Sequence, residues 1–201
     1  MAETKRYVKG KQTKKKIFAV AKELILTHGY NQVTVDQICA DSSISKGTFY
    51  IHYKSKEDIV RQLYRDDISE YMSDQFSKYE EEHPAATPMD KLKAFIVISL
   101  SFTAVAGEEL TKMAYIVNLS SASSEGSSYL SDCLKEELLY GIVDEGRSQA
   151  LFTCELTSEE IVNYVYTFIT GSLIAWCQSN FAYDIVQTSE KSVDFIIKGL
   201  R

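Results

Sequence analysis

The chain has 201 residues, 45% hydrophobic and 25% charged, with two prolines and nine glycines. These are ordinary globular proportions, long enough for one medium domain or two small ones around a substantial core. Net charge is −6, but residues 1–61 hold twelve Lys or Arg against six Asp or Glu, and residues 62–201 hold ten against twenty-two, so a basic head precedes an acidic body, as expected when only the head meets a polyanion.

In chain order, the first sixteen residues carry Lys5, Arg6, Lys9, Lys11, Lys14, Lys15 and Lys16 against Glu3. Such an arm either lies along phosphates or enters a minor groove, or it is a solubilising tail. No apolar run follows it, so no signal peptide is expected. A helix is predicted from Thr13 to His28, with Ile17, Phe18, Ala21, Leu24 and Ile25 at core spacing. Gly29 ends it in a left-handed conformation that needs no Cβ.

Thr34 stands three residues before Gln37, the spacing of a capping box, and should start a second helix with Val35, Ile38 and Cys39 inward. That helix fails at Asp41-Ser42-Ser43, because short polar side chains bond their own backbone. Ser45 then caps a third helix, Lys46 to His52, with Ile44 and Phe49 toward the core. Ser45, Lys46, Gly47, Thr48, Tyr50 and His52 are left at its start and on its outer side. Hydroxyls, an ammonium, a phenol and an imidazole, with no acid among them, suit a negatively charged, groove-shaped partner. Two short helices joined by a tight turn predict a helix-turn-helix.

Lys54-Ser55-Lys56-Glu57-Asp58 opens the next helix, capped by Ser55, with Lys54 and Lys56 placed to clamp a phosphate. It continues through Ile59, Leu63, Ile68, Tyr71 and Phe76 to Glu82 and stops before Pro84. At about 27 residues it would be a rod of roughly 40 Å joining head to body, the lever for any signal. Met89 to Ala106 is a strongly apolar helix broken by Gly107, and Glu108 to Leu119 is a shorter one. Ser120 to Ser128 is expected to be a loop, either beside a pocket or simply on the surface. Tyr129 to Arg147 reads as a helix with Leu130, Cys133, Leu134, Leu138, Ile142 and Val143 inward.

Ser158 to Asn180 carries no charge beyond Glu160 and has two apolar stripes, one through Ile161, Val165, Phe168, Ser172 and Trp176. Such a helix is buried on two faces, in a larger core or against a second copy of itself. A last helix, Ser189 to Leu200, supplies Val193, Phe195, Ile196, Ile197 and Leu200. A twofold dimer on these two helices is the economical solution for a chain of this length. The expectation is an all-α protein of about nine helices.

Four cysteines, Cys39, Cys133, Cys154 and Cys177, have no paired spacing and read as reduced core residues of a cytoplasmic protein. His28, His52 and His83 share no metal-ligand spacing, so neither a metal nor a cofactor is expected. No Glu-x-x-His pair, Cys–His couple, phosphate-cradling Gly loop or convergent acid cluster points to catalysis. Glu136-Glu137 and Glu159-Glu160 are adjacent and splay apart. Ile161 to Asn180 is too polar for a good membrane span.

The run from Thr34 through Ser45-Lys46-Gly47-Thr48-Phe49-Tyr50 to Tyr53-Lys54-Ser55-Lys56-Glu57-Asp58 resembles the DNA-binding signature of the TetR (tetracycline-repressor-like) transcriptional regulators. Cys39 stands where that pattern has Ala, Ser43 where it has a turn Gly, and Tyr53 where it has Phe. Ser43 matters most, because a left-handed residue with a side chain costs about 1 kcal/mol.

The resemblance implies a DNA-binding domain over residues 1–54 and a helical ligand-binding and dimerisation domain over 55–201. It implies a regulator, commonly a repressor, not an enzyme. A homodimer would read the halves of a palindromic operator in double-stranded DNA. Lys46, Lys54 and Lys56 fall to phosphates, Thr34 and Tyr50 to backbone positioning, Gly47 to close approach, and Ser45, Thr48 and His52 to bases. A pocket for an unknown small hydrophobic or aromatic effector is expected among Phe95, Phe102, Met113, Tyr115, Asn118, Tyr166 and Trp176. The dimer face is expected at Val165, Phe168, Ser172, Trp176, Phe195 and Ile196. The alternative is an all-α small-molecule-binding protein or enzyme with an incidental basic head.

Overall fold

The computed structural model describes residues 2–125 and 136–200, with side chains placed for 10–117, 119 and 136–200. Among the described residues it has nine α-helices, one turn of 3-10 helix and no strand. They divide into two compact units: Met1–Tyr64 with Glu109–Ser120, and Arg65–Glu108 with Ser121–Arg201.

The first unit contains α1 (Ala2–His28), the 3-10 turn Tyr30–Gln32, α2 (Val35–Asp41), α3 (Lys46–His52) and the start of α4 (Lys56–Glu82). It also takes in a stretch of α6 (Glu108–Glu125). Ile17, Ala21 and Ile25 of α1, Ile38 of α2, Phe49 of α3 and Ile59, Val60 and Leu63 of α4 are all buried. These are the apolar positions that helical spacing selects. α1 packs on α2, and α2 on α3.

α1 is longer than its predicted Thr13 start. The basic arm continues the same helix back to Ala2, since its Ala, Lys, Gln, Glu and Arg residues are good helix formers and Gly10 is its weakest position. At the other end Gly29 adopts φ +81° and donates its N–H to Ile25 O at 2.9 Å. A Cβ on Gly29 would stand 2.9 Å from Glu109 Oε1, and that oxygen accepts the Tyr30 N–H at 3.0 Å. Gly29 is thus required by the turn, whose positive φ strains any other residue, while the Glu109 carboxylate could shift to admit a Cβ.

The second unit contains the rest of α4 with α5 (Pro88–Ala106), α7 (Glu136–Ser148), α8 (Ser158–Gln178) and α9 (Ile185–Gly199). α5 packs on α7, α8 and α9 and is the central element. Leu92, Phe95, Ile96, Leu100 and Phe102 are fully buried on it. Thr87 with Asp90 and Thr157 with Glu160 form complete capping boxes at the starts of α5 and α8. Lys91 pairs with Glu80 and Glu145, and Lys93 with Asp194 at 2.7 Å.

Two further boundaries differ from expectation. α6 runs on to Glu125, so the Ser120–Glu125 part of the expected loop is helical, because that run contains neither Gly nor Pro before Gly126. The rest of that loop and the expected start of α7 at Tyr129, with Leu130, Cys133 and Leu134, lie outside the described residues. α9 begins at Ile185 rather than near Ser189, because the Asp184 carboxylate accepts the Gln187 N–H at 2.9 Å and caps it. No single helix among the described residues is long and apolar enough to cross a membrane, and none of them form a cluster that could hold a metal.

Candidate nucleic-acid interface

The turn that sets the site is held by backbone bonds. Ser42 N–H reaches Ile38 O, Ser43 N–H reaches Ala40 O and Ile44 N–H reaches Cys39 O, at 2.9 to 3.0 Å. Ser43 closes the turn at φ +54°, the left-handed position a glycine would fill without strain. The caps expected at Thr34 and Ser45 form: Thr34 Oγ1 accepts from Gln37 N at 3.2 Å, and Ser45 Oγ from Thr48 N at 3.1 Å. Ser45 Oγ also lies 3.0 Å from Thr48 Oγ1, so these two hydroxyls are already in contact with each other.

α3 runs over Lys46–His52, with Phe49 fully buried. Ser45, Lys46, Gly47 and Tyr50 are exposed, and Thr48 and His52 are half-buried. Tyr50 packs its ring edge against Phe49 at 5.4 Å between centroids. A Cβ on Gly47 would meet only Ser45 Oγ, at an ordinary 3.7 Å, so nothing inside the subunit demands glycine there. Ile51, which helix spacing had not singled out, is 80% exposed.

The three lysines assigned to phosphates stand in different surroundings. Lys46 Nζ is 2.6 Å from Asp36 Oδ1, with both side chains well exposed. The hydrogen bond and charge of Asp36 hold the Lys46 ammonium above its ordinary pKa. Lys56 is turned inward: its Nζ donates to Tyr30 O at 2.7 Å and Val33 O at 2.8 Å, and lies 3.8 Å from the Tyr30 ring centroid. Burial lowers its pKa, partly offset by Glu57. Lys54 is exposed, and its backbone N–H donates to Asp58 Oδ2 at 2.9 Å.

The Tyr30 hydroxyl donates to Glu57 Oε1 at 2.5 Å. Burial raises the Tyr30 pKa, and the Glu57 bond raises it further. Burial raises that of Glu57 in turn, but the Tyr30 and Ser55 hydroxyls outweigh it and leave the carboxyl below its usual range. Tyr53 is buried, donates to Gln62 Oε1 at 3.2 Å, and has Lys14 Nζ 5.4 Å from its ring centroid. The Lys56 and Glu57 contacts join residues 23 to 27 positions apart, and local spacing carries no sign of them.

Of the expected pocket residues, Phe95 and Phe102 are fully buried in the second unit, where Phe95 packs on Phe76 and Phe102 on Tyr71. Tyr166 is half-buried, and Trp176 donates its indole N–H to Tyr183 O at 2.8 Å. Tyr115 is buried and Met113 half-buried in the first unit, with the Tyr115 ring 6.4 Å from that of Tyr64. The Asn118 side chain lies outside those described.

Of the expected dimer residues, Val165 and Trp176 are buried within the subunit, Phe168, Ser172 and Ile196 are half-buried, and Phe195 is 80% exposed. An open groove of about 350 Å³ lies between α8 and α9, lined by Thr167, Phe168, Gly171, Ser172, Tyr183 and Ser192 among others.

A family model described as bacterial regulatory proteins, tetR family, matches residues 17–63, and one described as YsiA-like protein, C-terminal region, matches residues 64–199. The chain is 26% identical over 186 residues to the fatty acid metabolism regulator protein of Bacillus subtilis (strain 168), a match covering 92% of this chain and 93% of that protein. The HTH-type transcriptional regulator QacR of Staphylococcus aureus is 34% identical over 88 residues, 44% of this chain and 45% of that one. Among solved structures, Thermus thermophilus FadR in complex with lauroyl-CoA has a TM-score of 0.73 at 17% identity, covering 94% of this chain and 95% of that one. Bacillus subtilis FadR in complex with stearoyl-CoA has a TM-score of 0.62 at 23% identity, covering 92% and 98%.

Proposed function

The chain belongs to the TetR family of bacterial regulatory proteins and is a DNA-binding transcriptional regulator, and from that premise we propose that it is a homodimeric repressor of a palindromic operator, released by a fatty acyl-CoA. The carrying observation is the two-sidedness of α3. Phe49 alone is fully buried on it, while Ser45, Lys46, Gly47 and Tyr50 stand outward with no acid on the helix. A helix anchored by one ring and otherwise turned to solvent is built to enter a groove. Lys46 and Lys54 meet phosphates, Tyr50 and Thr34 position the backbone, and Ser45, Thr48 and His52 reach base edges. Lys56 supports this surface from within, by holding the carbonyls of residues 30 and 33.

α8 and α9 carry the dimer contact, with Phe168, Ser172, Ile196 and Phe195 facing a second copy across the groove and Val165 and Trp176 backing them from the subunit core. In that arrangement two copies of α3 read two half-sites separated by one helical turn or a multiple of it. The acyl-CoA assignment comes from the relatives, which are named as fatty acid metabolism regulators or solved with stearoyl-CoA and lauroyl-CoA. Its acyl chain calls for an apolar interior, and Phe95 and Phe102 belong to the apolar core of the second unit, which would have to open to admit it. Coupling of about 1–3 kcal/mol between ligand and operator is typical, a 5- to 150-fold change in affinity.

The test is selection of duplexes from a random pool by the purified full-length protein, followed by titration of the selected complex. An inverted repeat bound by two protomers and released by stearoyl-CoA, but not by free CoA, is expected. Enrichment of no duplex would overturn the DNA reading. Release by a quaternary ammonium compound and not by stearoyl-CoA would overturn the acyl reading alone and favour an organic cation, for which the acidic body is suited.

A further inference from the structure

We propose that Ile51 is a base-reading residue and that the group it reads is the 5-methyl of a thymine. The inference rests on the DNA-binding reading of α3 and deepens it. At about 100° per residue, Gly47 and Ile51 fall one turn apart on the line of α3 opposite Phe49, with Thr48 and Tyr50 to either side. Phe49 is 0% exposed and Ile51 is 80% exposed, so the structure places Ile51 at the outermost point of the helix. Gly47 presents no side chain on the same line, so the helix can approach the duplex there, and the next side chain met along that line is Ile51.

A single exposed apolar residue is usually without consequence. This one stands at the centre of the surface that meets DNA, where its chemistry restricts its partner. A branched alkyl group makes no hydrogen bond. In the major groove the guanine, cytosine and adenine edges present donors and acceptors, and thymine adds an apolar methyl. Ile51 against that methyl buries two alkyl surfaces. Against any other edge it covers polar atoms and leaves them unpaired, which costs more than the lost contact. Ser45 and His52 accept or donate hydrogen bonds and do not discriminate in this way, whereas Thr48 also carries a methyl, so the Ile51 variant, not the base replacement alone, assigns the contact.

The experiment uses the duplex selected by the full-length protein. Each thymine in one half-site is replaced in turn by deoxyuridine, which removes the methyl and leaves every hydrogen-bonding group in place. One position is expected to weaken binding by about fourfold, the effect of burying one methyl-sized group. Ile51→Ala, at an exposed site, is expected to melt as the wild type does and to bind the thymine and deoxyuridine duplexes equally at that position. Indifference of the wild type to every replacement, or an Ile51→Ala variant as sensitive as the wild type, would overturn the assignment while leaving the DNA-binding reading intact. Failure to select any duplex would overturn both.

Discussion

α3 and α8 show how differently two helices of one chain can be used. α3 has seven residues, buries Phe49 fully and turns the others toward solvent or half-burial. α8 has twenty-one residues and buries Ile161, Val162, Val165, Ile169, Leu173 and Trp176 on one side. Its opposite side, through Asn163, Tyr164, Thr167, Gly171 and Ala175, is exposed yet uncharged. The short helix is defined by what it leaves outside, the long one by what it encloses. Substitutions that separate folding from binding should therefore act oppositely in the two regions.

The sharpest separation is expected at Gly47. Its backbone does not need glycine, and a Cβ there meets nothing closer than 3.7 Å. Gly47→Ala should leave melting unchanged or raise stability by about 0.5–1 kcal/mol, yet weaken operator binding by about a hundredfold or more, some 2.7 kcal/mol. Lys46→Ala and Tyr50→Ala should likewise lose the operator while the dimer stays folded. Normal gel shifts from all three would remove α3 from the interface.

The glycine of the body behaves in reverse. A Cβ on Gly146 in α7 would run into the Phe152 ring, and both residues are buried. Gly146→Ala is expected to lower unfolding free energy by about 1–3 kcal/mol, the usual range for overpacking, with DNA binding by the surviving folded fraction unaltered. Chemical denaturation beside a titration of active sites checks this; a fully stable variant would mean the α7 packing is misdescribed.

Lys56 tests the boundary between the two behaviours. As a donor to two carbonyls from a half-buried position, its replacement by Ala should destabilise by about 1.5–3 kcal/mol. A lysine bound to phosphate would instead reduce the slope of log affinity against log salt by about one. Melting curves and salt titrations of Lys56→Ala distinguish these, and a reduced slope with normal stability would return Lys56 to the DNA surface. Smallest is the effect at two of the left-handed residues, Ser43 in the head and Ala150 in the body, both at φ +54°. Replacing either by Gly should stabilise by about 1 kcal/mol, and a loss in either case would show that its side chain contributes more than its strain costs.

The head was more legible than the body because its signals are local. Thr34 and Ser45 announce themselves as caps by spacing, and both cap. The turn at Ser43 needs the left-handed backbone that its departure from glycine implied. Lys56 was misleading because its partners, the carbonyls of residues 30 and 33, are brought near only by the fold. In the body the apolar pattern located α5, α8 and α9, yet α6 passed through a serine-rich run that composition alone reads as loop. Which of its apolar side chains enclose a ligand is a matter of shape, and Phe95 and Trp176 look alike in sequence whether they line a pocket or fill a core.

The Lys46–Asp36 pair gives the head a built-in stand-in for phosphate. On the proposed phosphate role of Lys46, landing on a duplex would exchange one anion for another at its ammonium, and the displaced Asp36 carboxylate would face a polyanion that repels it. Random sequence, offering little beyond its backbone, cannot compensate for that repulsion, whereas a site with matching base edges can. If Lys46 meets a phosphate as proposed, Asp36→Asn is expected to tighten binding to unrelated duplexes more than to the operator.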